Sequence, residues 1–190
     1  MTRVHLAPVR AHRPHGGVVN VRRILSLVLF AALSAHPGAQ TATYDYQVKA
    51  AYLFNFLKFV EFPTTDGPLV VCVAGRNPFG TVLENAVRGE QVQGRAIVAR
   101  VILEPEPGCD MIFIPEGAAT AAYLRAARGT ATLTVGETPQ FIAQGGIINF
   151  VREGNNIRFE IDPDAAEQAK LRISARLLQL ATLVRPGDPR

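Results

Sequence analysis

Residues able to do nucleophilic or acid–base chemistry are unevenly spread along this chain. Its four histidines, His5, His12, His15 and His36, all precede residue 41, and past that point the serines reduce to Ser174 and the cysteines to Cys72 and Cys109. A Ser-His or Cys-His pair needs an imidazole within hydrogen-bond reach of the nucleophile. Once the first forty residues are removed, neither pair can form. Gly75 and Gly80 have the spacing of phosphate-loop glycines, but Thr81-Val82 follows instead of Lys-Ser/Thr, and Pro78 removes an amide that would cradle phosphate. Glu104 and Glu106 flank Pro105, and Glu160 and Asp162 share one face of a strand end. Carboxylate acid–base work is open to them, yet solvation of the first pair and helix capping by Asp162 are the simpler uses. Two cysteines without histidine are too few ligands for a structural metal site. Binding rather than catalysis is therefore expected, with no metal and no cofactor.

Removal of the first forty residues is itself a sequence reading. Arg22-Arg23 runs into the apolar Ile24–Leu33, then into small residues Ser34-Ala35 and Pro37-Gly38-Ala39. That is the charged, apolar, small-residue order of an export signal. The apolar run is about ten residues, half of the roughly twenty needed to cross a bilayer. Cleavage after Ala39 or Ala42 is expected, and Val18, Val19 or Val21 is the expected first codon, because Thr2–Asn20 precedes the charged start. The leader also carries the charge. Residues 1–40 hold five arginines and no acid, leaving 15 basic and 16 acidic residues beyond, a net of −1. The basic isoelectric point thus says nothing about nucleic acid, and none is expected as a partner. The divisions expected are 1–40 (extension and signal), 41–186 (one domain) and 187–190 (tail).

In an exported chain, an even cysteine number favours a disulfide. Joining Cys72 to Cys109 closes a loop of about 37 residues and contributes about 4 kcal/mol in the chain-entropy model. It also requires the strands that carry them to be neighbours or nearly so.

The elements that position these residues follow from periodicity. Over Tyr44–Glu61, Ala50, Tyr52, Leu53, Phe56, Leu57, Phe59 and Val60 fall on one side of a helix, with Gln47, Asn55, Lys58 and Glu61 opposite. Lys49 lies inside the apolar stripe, where snorkelling is the simplest account, and Phe54 points toward the polar side. Leu69–Ala74 and Met111–Ile114 are continuous apolar runs, typical of strands covered on both faces. Arg95–Leu103 and Thr132–Val135 predict further strands; Thr81–Arg88, Ala118–Arg128 and Pro139–Gln144 predict helices. Ile147–Val151 and Ile157–Ile161 predict an antiparallel hairpin turned by Arg152–Asn156. Asp162-Pro163 supplies a cap and a first-turn proline. Ile173, Leu177, Leu180, Ala181 and Val184 then predict an amphipathic terminal helix, whose stripe either packs inward or pairs two copies as a homodimer. The sum is an α/β fold: one layered domain, a mostly parallel central sheet with an antiparallel C-terminal hairpin, flanked by helices.

An ordered set of stretches resembles the YfiR-like family (DUF4154) of small exported α/β proteins. They are Val48–Pro63, Val71–Gly80, Thr132–Gly136, Gly145–Phe150, Arg158–Ile161 and Leu171–Ala181. The resemblance implies a periplasmic protein of a Gram-negative bacterium that binds the periplasmic portion of an inner-membrane diguanylate cyclase and inhibits it. Cyclic di-GMP and biofilm formation then fall. An outer-membrane lipoprotein that sequesters the repressor is the second partner implied. Cys72 and Cys109 match the family's strand-linking pair, and redox control is associated with such bridges. Some relatives carry a second pair, which this chain lacks. Phe62 stands where the family usually has Trp, and Asp162 where it has Asn. Lys58 and Glu160 lie within family motifs and are the candidate partner-binding residues; an intramolecular salt bridge or plain solvation is the competing use of each. The alternative function is a periplasmic small-molecule sensing module reporting to a sensor kinase or transporter, which a deep pocket lined by Tyr52, Phe56 or Phe59 would favour.

Overall fold

Apolar runs of strand length, separated by amphipathic segments, assemble into a sheet covered on both faces. The computed structural model describes residues 37–63 and 66–187. The expected signal run and all four histidines lie outside the described residues. The strands are β1 (Val60–Glu61), β2 (Leu69–Ala74), β3 (Gln91–Val92), β4 (Arg95–Ile102), β5 (Met111–Ile114), β6 (Leu133–Gly136), β7 (Ile148–Glu153), β8 (Asn156–Ile161), β9 (Arg172–Ile173) and β10 (Thr182–Leu183). The helices are α1 (Pro37–Phe59), α2 (Val82–Val87), α3 (Thr120–Ala127), α4 (Pro163–Gln168) and α5 (Ala175–Leu178).

Eight strands form one sheet in the order β10-β8-β7-β6-β5-β2-β4-β3, and β1 pairs with β9 in a separate ribbon. The pairs from β4 through β7 are parallel, β7–β8 and β3–β4 antiparallel, and β10 joins β8 in parallel. The expected α/β class, with a parallel centre and an antiparallel hairpin, is what forms. Val71, Val73, Met111, Phe113, Leu133, Val135, Phe150 and Phe159 face one side and pack with Leu53, Phe56 and Leu57 of α1 and Leu83 and Val87 of α2. Cys72, Ala74, Ile112 and Ile114 face the other side, against Tyr123 and Leu124 of α3 and Phe141. The strict two-residue alternation of a strand makes this division.

The stripe read on α1 is the buried one: Ala50, Leu53, Phe56, Leu57 and Val60 are inaccessible, while Gln47, Asn55, Lys58 and Glu61 are exposed. Tyr52 and Phe56 lie against Phe150 and Phe159, with ring centroids 5.1–5.9 Å apart. Each such pair adds about 0.5–1.5 kcal/mol beyond its area burial.

Cys72 and Cys109 are bonded, with Cα atoms 5.8 Å apart. The adjacency this required is present, since β2 and β5 are paired with Cys72 opposite Ile112.

Two sequence expectations are corrected. The terminal segment is not one helix. Residues 172–173 pair with β1, α5 is a single turn, and residues 182–183 pair with β8. Backbone partners decide this: Ser174 N donates to Phe59 O (2.9 Å) and Val184 N to Ile161 O (3.0 Å). Such long-range ladder bonds satisfy the chain at both ends and override a helical period. Residues 139–144 form successive turns rather than a helix, because Gln140 takes a left-handed φ of 67°.

Those turns deliver Phe141, fully buried, into a slot between Gly136 and Gly146. A methyl group on either glycine would fall inside the space of the phenyl ring. Gly146→Ala is expected to destabilise the domain by about 3 kcal/mol, the upper end for overpacking. Adding Phe141→Leu should restore part of the loss, read as urea midpoints of the two variants. An unchanged midpoint for Gly146→Ala would refute the slot.

Candidate functional site

Lys58 lies on the last turn of α1, exposed, with its Nζ 3.8 Å from the centroid of the Phe54 ring one turn back. Positions i and i+4 share a helix face, so the aromatic that broke the apolar pattern serves as a platform for this cation. Arg176 of α5 lies 5.6 Å from the neighbouring Phe59 ring, and Glu61 pairs with Arg172 at 2.8 Å across the β1–β9 ribbon. The end of α1 therefore presents half-buried aromatic rings carrying exposed charge.

Glu160 sits elsewhere. Its register partners are Asn149 on β7 and Thr182 on β10. Its strand neighbours Phe159 and Ile161 face α1, so alternation turns Glu160 to the opposite side of the sheet. Lys58 and Glu160 are not brought together; the sheet stands between them. Beside Glu160, Asn149 is only 1 % exposed, and among the described residues its Oδ1 has no hydrogen-bond partner.

A third cluster was not legible in sequence. Lys49 does not snorkel: its Nζ binds Glu137 Oε2 at 2.5 Å, with side-chain exposures of 12 % and 6 %. Glu137 Oε1 accepts from Tyr46 OH (2.9 Å) and from the Glu116 backbone N–H (3.0 Å). The Lys49 ammonium also lies 4.6 Å from the Tyr46 ring centroid. Asp45 pairs with Arg152 alongside, and Phe79 meets the Tyr46 ring edge-on at 5.2 Å. Phe79, Glu116 and Glu137 follow β2, β5 and β6, so they converge where the connections from β2 and β5 diverge. In open α/β sheets that C-terminal edge is where crevices form. Here a cavity of about 180 Å³ lies over Lys49, Glu137, Phe150 and Arg152. The signal in sequence was Lys49 within an apolar stripe, which calls for a buried counterion; its distance of 88 residues from Glu137 hid the partner.

Burial, then the Glu137 charge and its hydrogen bond, then Glu116, push the Tyr46 phenol above its ordinary value of 10.0. In the unfolded chain this phenol ionises near pH 10, while in the fold it keeps its proton. Below that pH the stabilisation is fully present; it is lost as pH rises from about 10 through the elevated folded value. Urea midpoints of the native chain should therefore fall more steeply above pH 10 than those of Tyr46→Phe. Parallel profiles would show that the contact does not act in solution.

Tyr52, Phe56 and Phe59 line none of the four cavities found among the described residues. Phe56 is filled over by the rings around it. A cavity of about 510 Å³ lies between α3 and α4. Among the described residues no three His, Cys, Asp or Glu side chains are grouped to hold a metal ion, and no helix is long and apolar enough to cross a membrane.

Fold and surface together define an α/β domain with a disulfide from central strand β2 to the residues just before its parallel neighbour β5, and with exposed charge on aromatic rings at the end of α1. A family model described as YfiR/HmsC-like matches residues 46–182, and the chain belongs to that family, whose members are periplasmic regulatory proteins. No curated protein matches the chain in sequence.

Proposed function

We propose that this chain is a periplasmic protein that binds the periplasmic portion of an inner-membrane diguanylate cyclase and inhibits it, lowering cyclic di-GMP and biofilm formation. An outer-membrane lipoprotein that captures the repressor is the second partner proposed. The observation that carries the reading is the family match, which runs from Tyr46 within α1 to the start of β10. Partner contact is assigned to Lys58, on its Phe54 platform, and to Glu160 on the other side of the sheet.

The experiment co-expresses the chain with a membrane diguanylate cyclase that has a periplasmic portion and measures cyclic di-GMP. Repression is expected; an unchanged cyclic di-GMP level would overturn the function. Lys58→Glu and Glu160→Lys should each weaken capture of the cyclase by about tenfold, as loss of a charge at an interface does. Lys58 is exposed, so its reversal should leave the thermal midpoint of the fold in place. Normal repression by the doubly reversed variant would remove these two residues from the reading.

A further inference from the structure

Charge is not spread evenly over the domain. Residues 168–187 carry Lys170, Arg172, Arg176 and Arg185 and no acid, whereas the rest of the chain past residue 40 holds 11 basic and 16 acidic residues, a net of −5. All four of those basic residues are exposed. The fold adds Lys58 to them. Ser174 N donates to Phe59 O at 2.9 Å, β9 pairs with β1, and the Arg176 guanidinium lies 5.6 Å from the Phe59 ring centroid. The terminal segment is thereby laid onto the end of α1 that presents Lys58. Carboxylates offset this corner in part: Glu61 pairs with Arg172 at 2.8 Å, Asp164 with Arg185 at 2.9 Å, and Glu167 precedes Lys170 by three residues. Five cations against three carboxylates still leave the corner positive on a domain that is negative elsewhere.

Apolar surface lies in the same stretch. Leu180, in the turn after α5, and Leu183, in β10, are 64 % and 51 % exposed. Leu183 is in register with Ile161, which packs toward α1, while Thr182 is in register with Glu160. Alternation therefore puts Leu183 on the α1 side of the sheet and Thr182 with Glu160 on the other. We infer that this corner is a peripheral membrane site, which seats the domain on an anionic phospholipid surface through Lys58, Lys170, Arg172, Arg176, Leu180 and Leu183. On such a surface apolar side chains enter the acyl boundary while cations meet phosphate groups. A soluble polyanion would use the cations and gain nothing from the leucines. Each basic side chain close to the lipid strengthens binding about fivefold, and added salt weakens that attraction. The contact is reversible, unlike a membrane-spanning anchor.

Sedimentation with vesicles tests this, using the chain recovered from a periplasmic extract. Mass spectrometry verifies the loss of residues 1–40, because the five arginines and apolar run of that segment would bind lipid by themselves. Vesicles of equal parts phosphatidylglycerol and phosphatidylcholine should carry the protein down at low salt, and phosphatidylcholine alone should not. Lys170→Gln and Arg176→Gln should each weaken binding about fivefold, and Leu180→Ser by about the same factor. The thermal midpoint should stay in place in all three, since these residues are exposed. Lys58 is kept native, which leaves its assigned contact with the cyclase untouched, and the vesicles hold no cyclase, so lipid binding is read apart from repression. No binding to the anionic vesicles, equal binding to both kinds, or native binding by Leu180→Ser would each overturn the proposal.

Discussion

Arg95→Ala is expected to destabilise the domain by about 3–5 kcal/mol, the usual cost of deleting one partner of a buried ion pair. Arg95 opens β4 and is 8 % exposed overall. Its Nε donates to Gly67 O (2.9 Å), and its Nη2 to Pro68 O (2.9 Å) and to Asp110 Oδ1 (3.3 Å). Asp110 in turn accepts from Val70 N at 2.8 Å. One guanidinium thus ties together the entry to β2, the start of β4 and the residue before β5. Without it the Asp110 charge and two loop carbonyls lose their donor in a partly buried setting. Arg95→Lys should recover little, because one ammonium cannot reproduce a planar fork that meets three acceptors. Guanidinium chloride midpoints of both variants test this; a lysine variant as stable as the native chain would show that charge alone is what matters there.

Replacing both cysteines by alanine is expected to cost about 4 kcal/mol, from the loop-closure entropy regained by the unfolded chain. The sequence separation of 37 residues sets that figure. Cys72 is fully buried on the face packed by α3, so the alanine pair also gives up some packing there. At about 2–4 °C per kcal/mol for a domain of this size, the thermal midpoint should fall by roughly 8–16 °C. The reduced native chain should lose most of the same stability and stay slightly above the double variant, since it keeps the Cys72 side chain in that packing. Equal stability of oxidised and reduced protein would show that the reduced unfolded chain already keeps these two segments close.

What could be read in advance was what a short window can hold. Leu69–Ala74 and Met111–Ile114 were legible because a strand buried on both faces has no polar alternation to confuse it. The stripe of α1 was legible because eighteen residues span several helical turns. The cysteine pair was legible from its count together with the expected export. The terminal segment was misread because Ile173, Leu177, Leu180 and Val184 satisfy a helical period that no local rule contradicts. Its real constraints, Phe59 O and Ile161 O, lie far away in the chain. The cluster of Lys49, Tyr46 and Glu137 escaped for the same reason. A charge on an apolar stripe announces that a counterion exists, and only the fold says which carboxylate supplies it. The positions of Lys58 and Glu160 on separate layers likewise follow from strand alternation combined with a topology that sequence spacing does not encode.

That separation bears on how many molecules the domain can hold at once. A single partner that touches both charges has to reach around a rim of the molecule. Such an embrace covers both layers at once, so a second molecule titrated in would displace the first and no three-component particle would accumulate. A second partner that needs either side would then be admitted only after the first has let go.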